Sequence, residues 1–147
     1  MIGFKGGKFV DQTANVAKAV RKAGEYALKR LGFLVRAKAM ESLKSESGPS
    51  APGEPPHTHE RAKTRKGKPG KMGLLPSSIL YGIAHNPDRV IIGPSVNVVG
   101  IVGAAFEHGG TVTFRGASYP PRPFMGPALG EEIGQLPGLL LDELAKL

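Results

Sequence analysis

The chain has 147 residues, 40% of them hydrophobic, no cysteine and a formal net charge of +8. That length suits one domain, residues 1–147, with a real core, and the lack of cysteine excludes disulfides and thiolate metal sites. No apolar run approaches the roughly 20 residues that span a bilayer, and Met1–Lys8 lacks the apolar centre of a signal peptide, so the expectation is a protein made and kept in a cytoplasm.

Residues 1–10, rich in Gly and Lys, read as a flexible N-terminus. From Asp11 to about Leu43 apolar residues recur every three or four positions: Val16, Val20, Ala23, Ala27, Leu31, Leu34, Ala37 and Met40. That spacing predicts one face of a single long helix. Lys18, Arg21, Lys22, Lys29 and Arg36 fall largely outside the stripe, and Asp11 or Thr13 stands where a cap is needed. Gly24 and Gly32 each cost about 1 kcal/mol against alanine, so keeping them implies close packing or a bend.

Residues 47–76 change composition to Gly, Pro, Ser and Lys with almost no large apolar group. Such a segment buries too little surface to offset an ordering cost of roughly 1–2 kcal/mol per residue. It is predicted to be an extended mobile arm that orders only against a neighbouring subunit or partner.

Short strand signals follow. Ser78–His85 alternates, with Ile79, Tyr81 and Ile83 on one face, and Asn86-Pro87-Asp88 turns it into a second strand, Arg89–Ile92. Val96–Val102 is β-branched and predicted to be a third strand. Ala104–His108 reads as one helical turn stopped by Gly109-Gly110, and Thr111–Phe114 as a short strand. The fold class predicted is α+β: a small, mainly antiparallel sheet packed against a long N-terminal helix and a C-terminal helix, with a long extended loop.

Tyr119–Leu129 reads Y-P-P-R-P-F-M-G-P-A-L. Pro120, Pro121 and Pro123 each fix φ near about −65° and remove a donor, which makes the segment extended and stiff. A rigid arm of this kind is suited to presenting Arg122 and Phe124 to another subunit. Met125–Leu147 then reads as a helix with Pro127 in its first turn and a kink or break at Pro137-Gly138.

Charge is uneven: ten of the twenty Lys/Arg fall in residues 1–46 and six between Arg61 and Lys71, whereas the last 25 residues carry four acidic groups and one lysine. This polarity fits nucleic-acid binding or head-to-tail packing of like subunits. The cluster Arg61, Lys63, Arg65, Lys66, Lys68 and Lys71 is a candidate DNA or partner contact, although no aromatic side chain interleaves it as in single-strand binders.

Catalytic chemistry has little support. His57, His59 and Glu60, and separately Glu107 and His108, invite a metal reading, but no H-E-x-x-H occurs and two of the histidines sit in the loop. There is no G-x-S-x-G, no P-loop and no G-x-G-x-x-G. The expectation is no enzyme activity, no cofactor, no metal and no small-molecule substrate.

The order of features resembles the tail-completion, or head–tail joining, proteins of long-tailed bacteriophages over roughly residues 12–145. The long basic helix comes first, then the Pro/His loop Ser50–His59 and a Leu-Ser-Ile strand, Leu74–Ile79. Val90-Ile91-Ile92-Gly93-Pro94, the turn Phe106–Gly110, and the arm Pro121–Leu129 complete the series. Arg61–Lys71 departs from the pattern as an insertion, and Pro76 stands where a sheet donor is usual. The resemblance implies a virion structural protein of the neck or tail, assembled in the host cytoplasm as a ring of its own copies, a hexamer. Its partners would be neighbouring neck and tail proteins and the DNA in the channel, with no membrane. Under it the subunit interface falls on Pro121, Arg122, Pro123 and Phe124 of the arm with Glu107 and His108 nearby. Arg122 would pair with a neighbour's carboxylate and Phe124 would fill a neighbour's pocket. The alternatives are a tail terminator and a non-virion basic nucleic-acid-binding protein.

Overall fold

The computed structural model describes residues 13–58, 74–85, 88–112 and 117–146. The fold is α+β. Helix α1 (Thr13–Ser42) is the spine. A short helix α2 (Leu74–Ser78) leads into an antiparallel hairpin of β1 (Ile79–Ala84) and β2 (Arg89–Pro94). Helices α3 (Val96–Val99) and α4 (Val102–His108) precede a second antiparallel pair, β3 (Gly110–Val112) and β4 (Ala117–Tyr119). The chain closes with α5 (Met125–Glu132), a 3-10 turn over Ile133–Gln135, and α6 (Leu136–Leu144). Among the described residues no helix is long and apolar enough to cross a membrane.

The long helix forms as predicted, and it buries part of the predicted row: Ala23, Ala27 and Leu31 are buried, with Leu34 and Met40 packed against the core. Ala23, Ala27, Leu31, Val35, Ala39 and Leu43 are buried, every fourth residue, whereas Val16, Val20 and Ala37 are exposed. A strict four-residue step advances about 40° round a helix of 3.6 residues per turn. The buried line therefore winds, meeting the hairpin, α5 and α6 on different flanks. A fixed three-or-four stripe assumes a flat partner; here the body wraps the spine. Val16 and Val20 lie beyond the wrapped part, and among the described residues they are exposed.

On the inner face of the hairpin, Tyr81 pairs with Ile92 and Ile83 with Val90. Gly32 lets the hairpin settle onto α1: a Cβ there would lie 2.7 Å from the Tyr81 ring and 2.9 Å from a Val90 methyl. Close packing, and not a bend, explains this glycine. Arg36 Nε donates to the carbonyl of Ile79 at 2.7 Å, tying the strand start to the same helix.

Three expectations fail. Leu74–Ser78 is helical rather than strand, with Ser78 Oγ bonded to the Leu75 carbonyl. Val96–Val99 is a short helix and Val102 begins the next: Val98 and Val99 donate to the Ser95 carbonyl, and Gly100 at φ +62° ends the turn. β-branched residues make strands only where a neighbouring strand receives them, and Ser95 N–H instead bonds back to Ser78, closing the hairpin before a third strand can pair. The described part of the 47–76 segment is also packed. Thr58 N–H donates to Lys44 at 2.8 Å, Gly53 N–H to Pro121 at 3.0 Å, and Ser50, Pro56 and Thr58 are buried. Residues 47–58 thus pack against the chain's own proline arm. The remainder of the predicted arm, with Arg61, Lys63, Arg65, Lys66, Lys68 and Lys71, lies outside the described residues, as do residues 1–12. So do Thr113 and Phe114, the end of the strand predicted over Thr111–Phe114.

The break at Pro137-Gly138 is real: α5 ends, a 3-10 turn intervenes, and Pro137 sits in the first turn of α6, where its missing N–H costs nothing.

The two helix glycines should respond oppositely to alanine. Gly24→Ala meets no atom within 4 Å and gains up to about 1 kcal/mol of helix propensity. Gly32→Ala forces Tyr81 and Val90 aside, an overpacking of about 1–3 kcal/mol that outweighs the same gain. Urea midpoints moving in opposite directions are the expected outcome.

Candidate functional site

The arm and the turn chosen from sequence meet in space. Phe106 and Glu107, at the end of α4, hold both the arm and the start of α5. Arg122 N–H donates to the Phe106 carbonyl at 2.6 Å, and the Phe106 and Tyr119 rings stack edge to face at 5.9 Å. Glu107 accepts three backbone N–H bonds, from Phe124 and Met125 at 3.0 Å and from Gly126 at 2.7 Å. These are donors that a helix start leaves orphaned, at the positive end of its dipole. No side chain at the Phe124 cap position makes that bond, so the cap comes from α4. Gly126 leaves room for it, since a Cβ there would lie 3.0 Å from Glu107 Oε1 and press on the carboxylate.

The roles assigned to these residues change accordingly. Phe124 is 1% exposed and lies in the chain's own core with Leu31, Val35, Ile79 and Ala128, so it cannot anchor a neighbour's pocket. Arg122 pairs with no carboxylate among the described residues; its Nη2 donates to the Ser50 carbonyl at 2.9 Å, clasping the 47–58 segment. Arg122 Nε and Ser50 Oγ are enclosed at the same junction with no partner among the described residues. Pro121 is exposed and its carbonyl receives Gly53 N–H; Pro123 is half-buried; His108 is exposed. The set is an intramolecular lock. Its rigidity serves to join three segments of one chain, a use that proline content alone cannot separate from presentation to a partner.

The basic and acidic ends also meet within one molecule. Arg30 lies 3.4 Å from Asp142 and 3.3 Å from Glu143 of α6, and Lys38 lies 2.9 Å from Glu131 of α5. Lys38 is raised above the usual lysine range, first by its hydrogen bond to Glu131. Head-to-tail pairing of these same groups between copies is therefore not needed.

Sequence reading missed a polar cluster where α1 passes the hairpin turn. Arg21 grips Asp88 through Nε and a terminal nitrogen, both at 3.1 Å. His85 Nδ1 lies 2.9 Å from Asp88 Oδ1 and 3.8 Å from Glu25 Oε1. The Glu25, His85 and Asp88 ligand atoms all lie within 4.8 Å of one another, the set that could hold a metal. Arg21 already occupies Asp88 with both nitrogens, however, which makes the cluster an ion-pair clasp. Only the spacing of Arg21 and Glu25, one turn apart on α1, was visible beforehand. Of the metal candidates, His57 sits 3.6 Å from Glu46, Glu107 is taken up by the helix cap, and His59 and Glu60 lie outside the described residues.

Part of the exposed surface of the described residues is apolar. The outer face of the first hairpin carries Leu80, 55% exposed, and Ile91, 57% exposed, opposite Gly93 and Gly82. Each strand of this two-stranded sheet has an edge without a partner strand among the described residues. A groove of about 490 Å3 runs between α1, β2 and α5, lined by Leu28, Val35, Ile92, Met125, Leu129 and Ile133.

Glu107→Ala should destabilise the protein by about 1–3 kcal/mol, as two part-buried donors and one exposed donor lose a charged acceptor. Amide exchange at Phe124, Met125 and Gly126 should rise ahead of exchange in α1. The clasp gives a pH dependence. Hydrogen bonds from His85, then from Arg21, hold Asp88 below the usual carboxylate range. A lowered folded-state value means that the contribution is complete above the unfolded value of about 4 and is lost as pH falls through the folded one. Asp88→Asn should flatten the acid limb of a stability–pH profile. Set against known protein families, characterised proteins and solved structures, the chain matches none.

Proposed function

We propose that the protein is a non-enzymatic structural subunit of a virion, acting at the phage head–tail junction in a ring of its own copies, where it completes the tail and joins it to the filled head. The order of sequence features from the basic helix to the arm supports the family reading. The single structural observation that carries a subunit role is the first hairpin. An unpaired two-stranded sheet with apolar Leu80 and Ile91 turned outward is a surface that a neighbouring chain would complete. The interface then moves from the proline arm to the hairpin. The arm supplies stiffness behind it.

Electron microscopy of particles made from a genome lacking this gene tests the role. Separate filled heads and full-length tails are expected. Tails of irregular excess length would transfer the assignment to a tail terminator, and normal particles would overturn it. Ile91→Glu should leave the circular-dichroism spectrum unchanged and abolish assembly of the purified chain in light scattering; unimpaired assembly would remove the hairpin from the interface.

A further inference from the structure

Helix α1 carries seven cations over Thr13–Ser42. Four are engaged by the rest of the chain: Arg21 by Asp88, Arg30 by Asp142 and Glu143, Arg36 by the Ile79 carbonyl, and Lys38 by Glu131. The remaining three, Lys18, Lys22 and Lys29, are exposed and have no carboxylate partner among the described residues. They are not scattered. At 100° per residue, Lys18, Lys22, Tyr26, Lys29 and Phe33 fall within an arc of about 80° and extend about 22 Å along the axis. That arc faces away from Ala27, Leu31 and Val35, which are buried in the core.

Two aromatic rings sit among these lysines in solvent: Tyr26 is 45% exposed and Phe33 55%. The Lys22 and Lys29 ammonium groups lie 5.8 Å and 5.4 Å from the centre of the Tyr26 ring. Two like charges are thereby concentrated over one ring, an arrangement that a bound anion relieves. Of the two acidic residues of α1, Glu41 lies beside Lys38, about 60° beyond the arc, and Glu25, about 20° outside its edge, turns toward His85 at 3.8 Å.

We propose that this stripe of α1 binds single-stranded nucleic acid, the lysines taking phosphates and Tyr26 and Phe33 stacking on unpaired bases. An acidic protein surface would use the lysines and leave the rings idle. Duplex DNA would do the same, because its base faces are already stacked. Unpaired bases use both, and base–aromatic stacking interleaved with cations is how single strands are held without sequence preference. The length suits roughly four nucleotides, the low end of single-strand sites. This surface is distinct from the hairpin and does not depend on the virion assignment.

Fluorescence anisotropy of the full chain with a labelled 15-nucleotide oligothymidine, at several salt concentrations, is the test. Tyr26→Ala and Phe33→Ala should each weaken binding about fivefold or more, whereas Tyr26→Phe, which keeps the ring, should retain it. The double variant Lys22→Gln/Lys29→Gln should reduce the slope of log affinity against log salt by about 1.4, two phosphates' worth for a single strand. All four positions are exposed, so circular dichroism should show every variant folded. Ring variants that bind as tightly as the unaltered chain would overturn the proposal, as would a 15-base-pair duplex bound equally well. An unchanged salt slope in the lysine variant would also overturn it, assigning the binding to another basic segment. Particle morphology in the gene-deletion experiment reads none of these quantities, so the two assignments fail separately.

Discussion

Glu107 accepts hydrogen bonds from Phe124, Met125 and Gly126, and the C-terminal helices take their position from that contact. Helix α5 begins immediately after an extended proline arm, with no capping side chain of its own. Its orphaned N–H groups point toward α4, and the carboxylate there satisfies three of them at once. Helix α4 is itself seated on the hairpin, with Gly103 so close to Pro94 that a Cβ would lie 2.6 Å from the proline ring. A chain of contacts therefore runs from the hairpin through α4 and Glu107 to α5, then through α6 back to Arg30 of the spine. Phe124 is enclosed by that circuit. Its burial at the centre of the core is a consequence of where α5 is made to start.

The same circuit explains which parts of the sequence were legible. Periodicity announced α1, alternation and the Asn-Pro-Asp turn announced the first hairpin, and Pro137 announced the break before α6. Each of these signals is local, decided by residues within a few positions of one another. The missed features are decided across the chain. Val96–Val99 has strand-forming side chains, but whether a strand exists depends on Ser95 bonding to Ser78. The burial of Phe124 depends on Glu107, 17 residues earlier. The ordering of residues 47–58 depends on Arg122, 72 residues away from Ser50. Glu107 and the arm were both singled out in the sequence, but a carboxylate that caps a helix and one that meets a neighbour have the same one-letter code.

Charge follows a similar logic. A basic N-terminal helix and an acidic C-terminal region look like two ends waiting for partners. In the folded chain they are neighbours, since α1 packs along α5 and α6. Exposed ion pairs of this kind contribute little to stability, so their importance lies in what they use up. Once Arg30 and Lys38 are paired with the C-terminal carboxylates, Arg21 with Asp88 and Arg36 with a strand carbonyl, the uncompensated charge of α1 is confined to three lysines on one face.

The two open surfaces therefore differ in kind. The hairpin offers backbone edges and aliphatic side chains, which discriminate by shape and by strand register and are nearly indifferent to salt. The α1 stripe offers ammonium groups and rings, which hold a polyanion with little demand on its sequence and release it as ionic strength rises. Both rest on the same helix: Gly32 fixes the hairpin to it, and Phe33, the next residue, lies about 100° further round, in the stripe. Because consecutive helical residues diverge by about 100°, one rigid helix can hold an exposed apolar hairpin and a basic aromatic face in fixed relation.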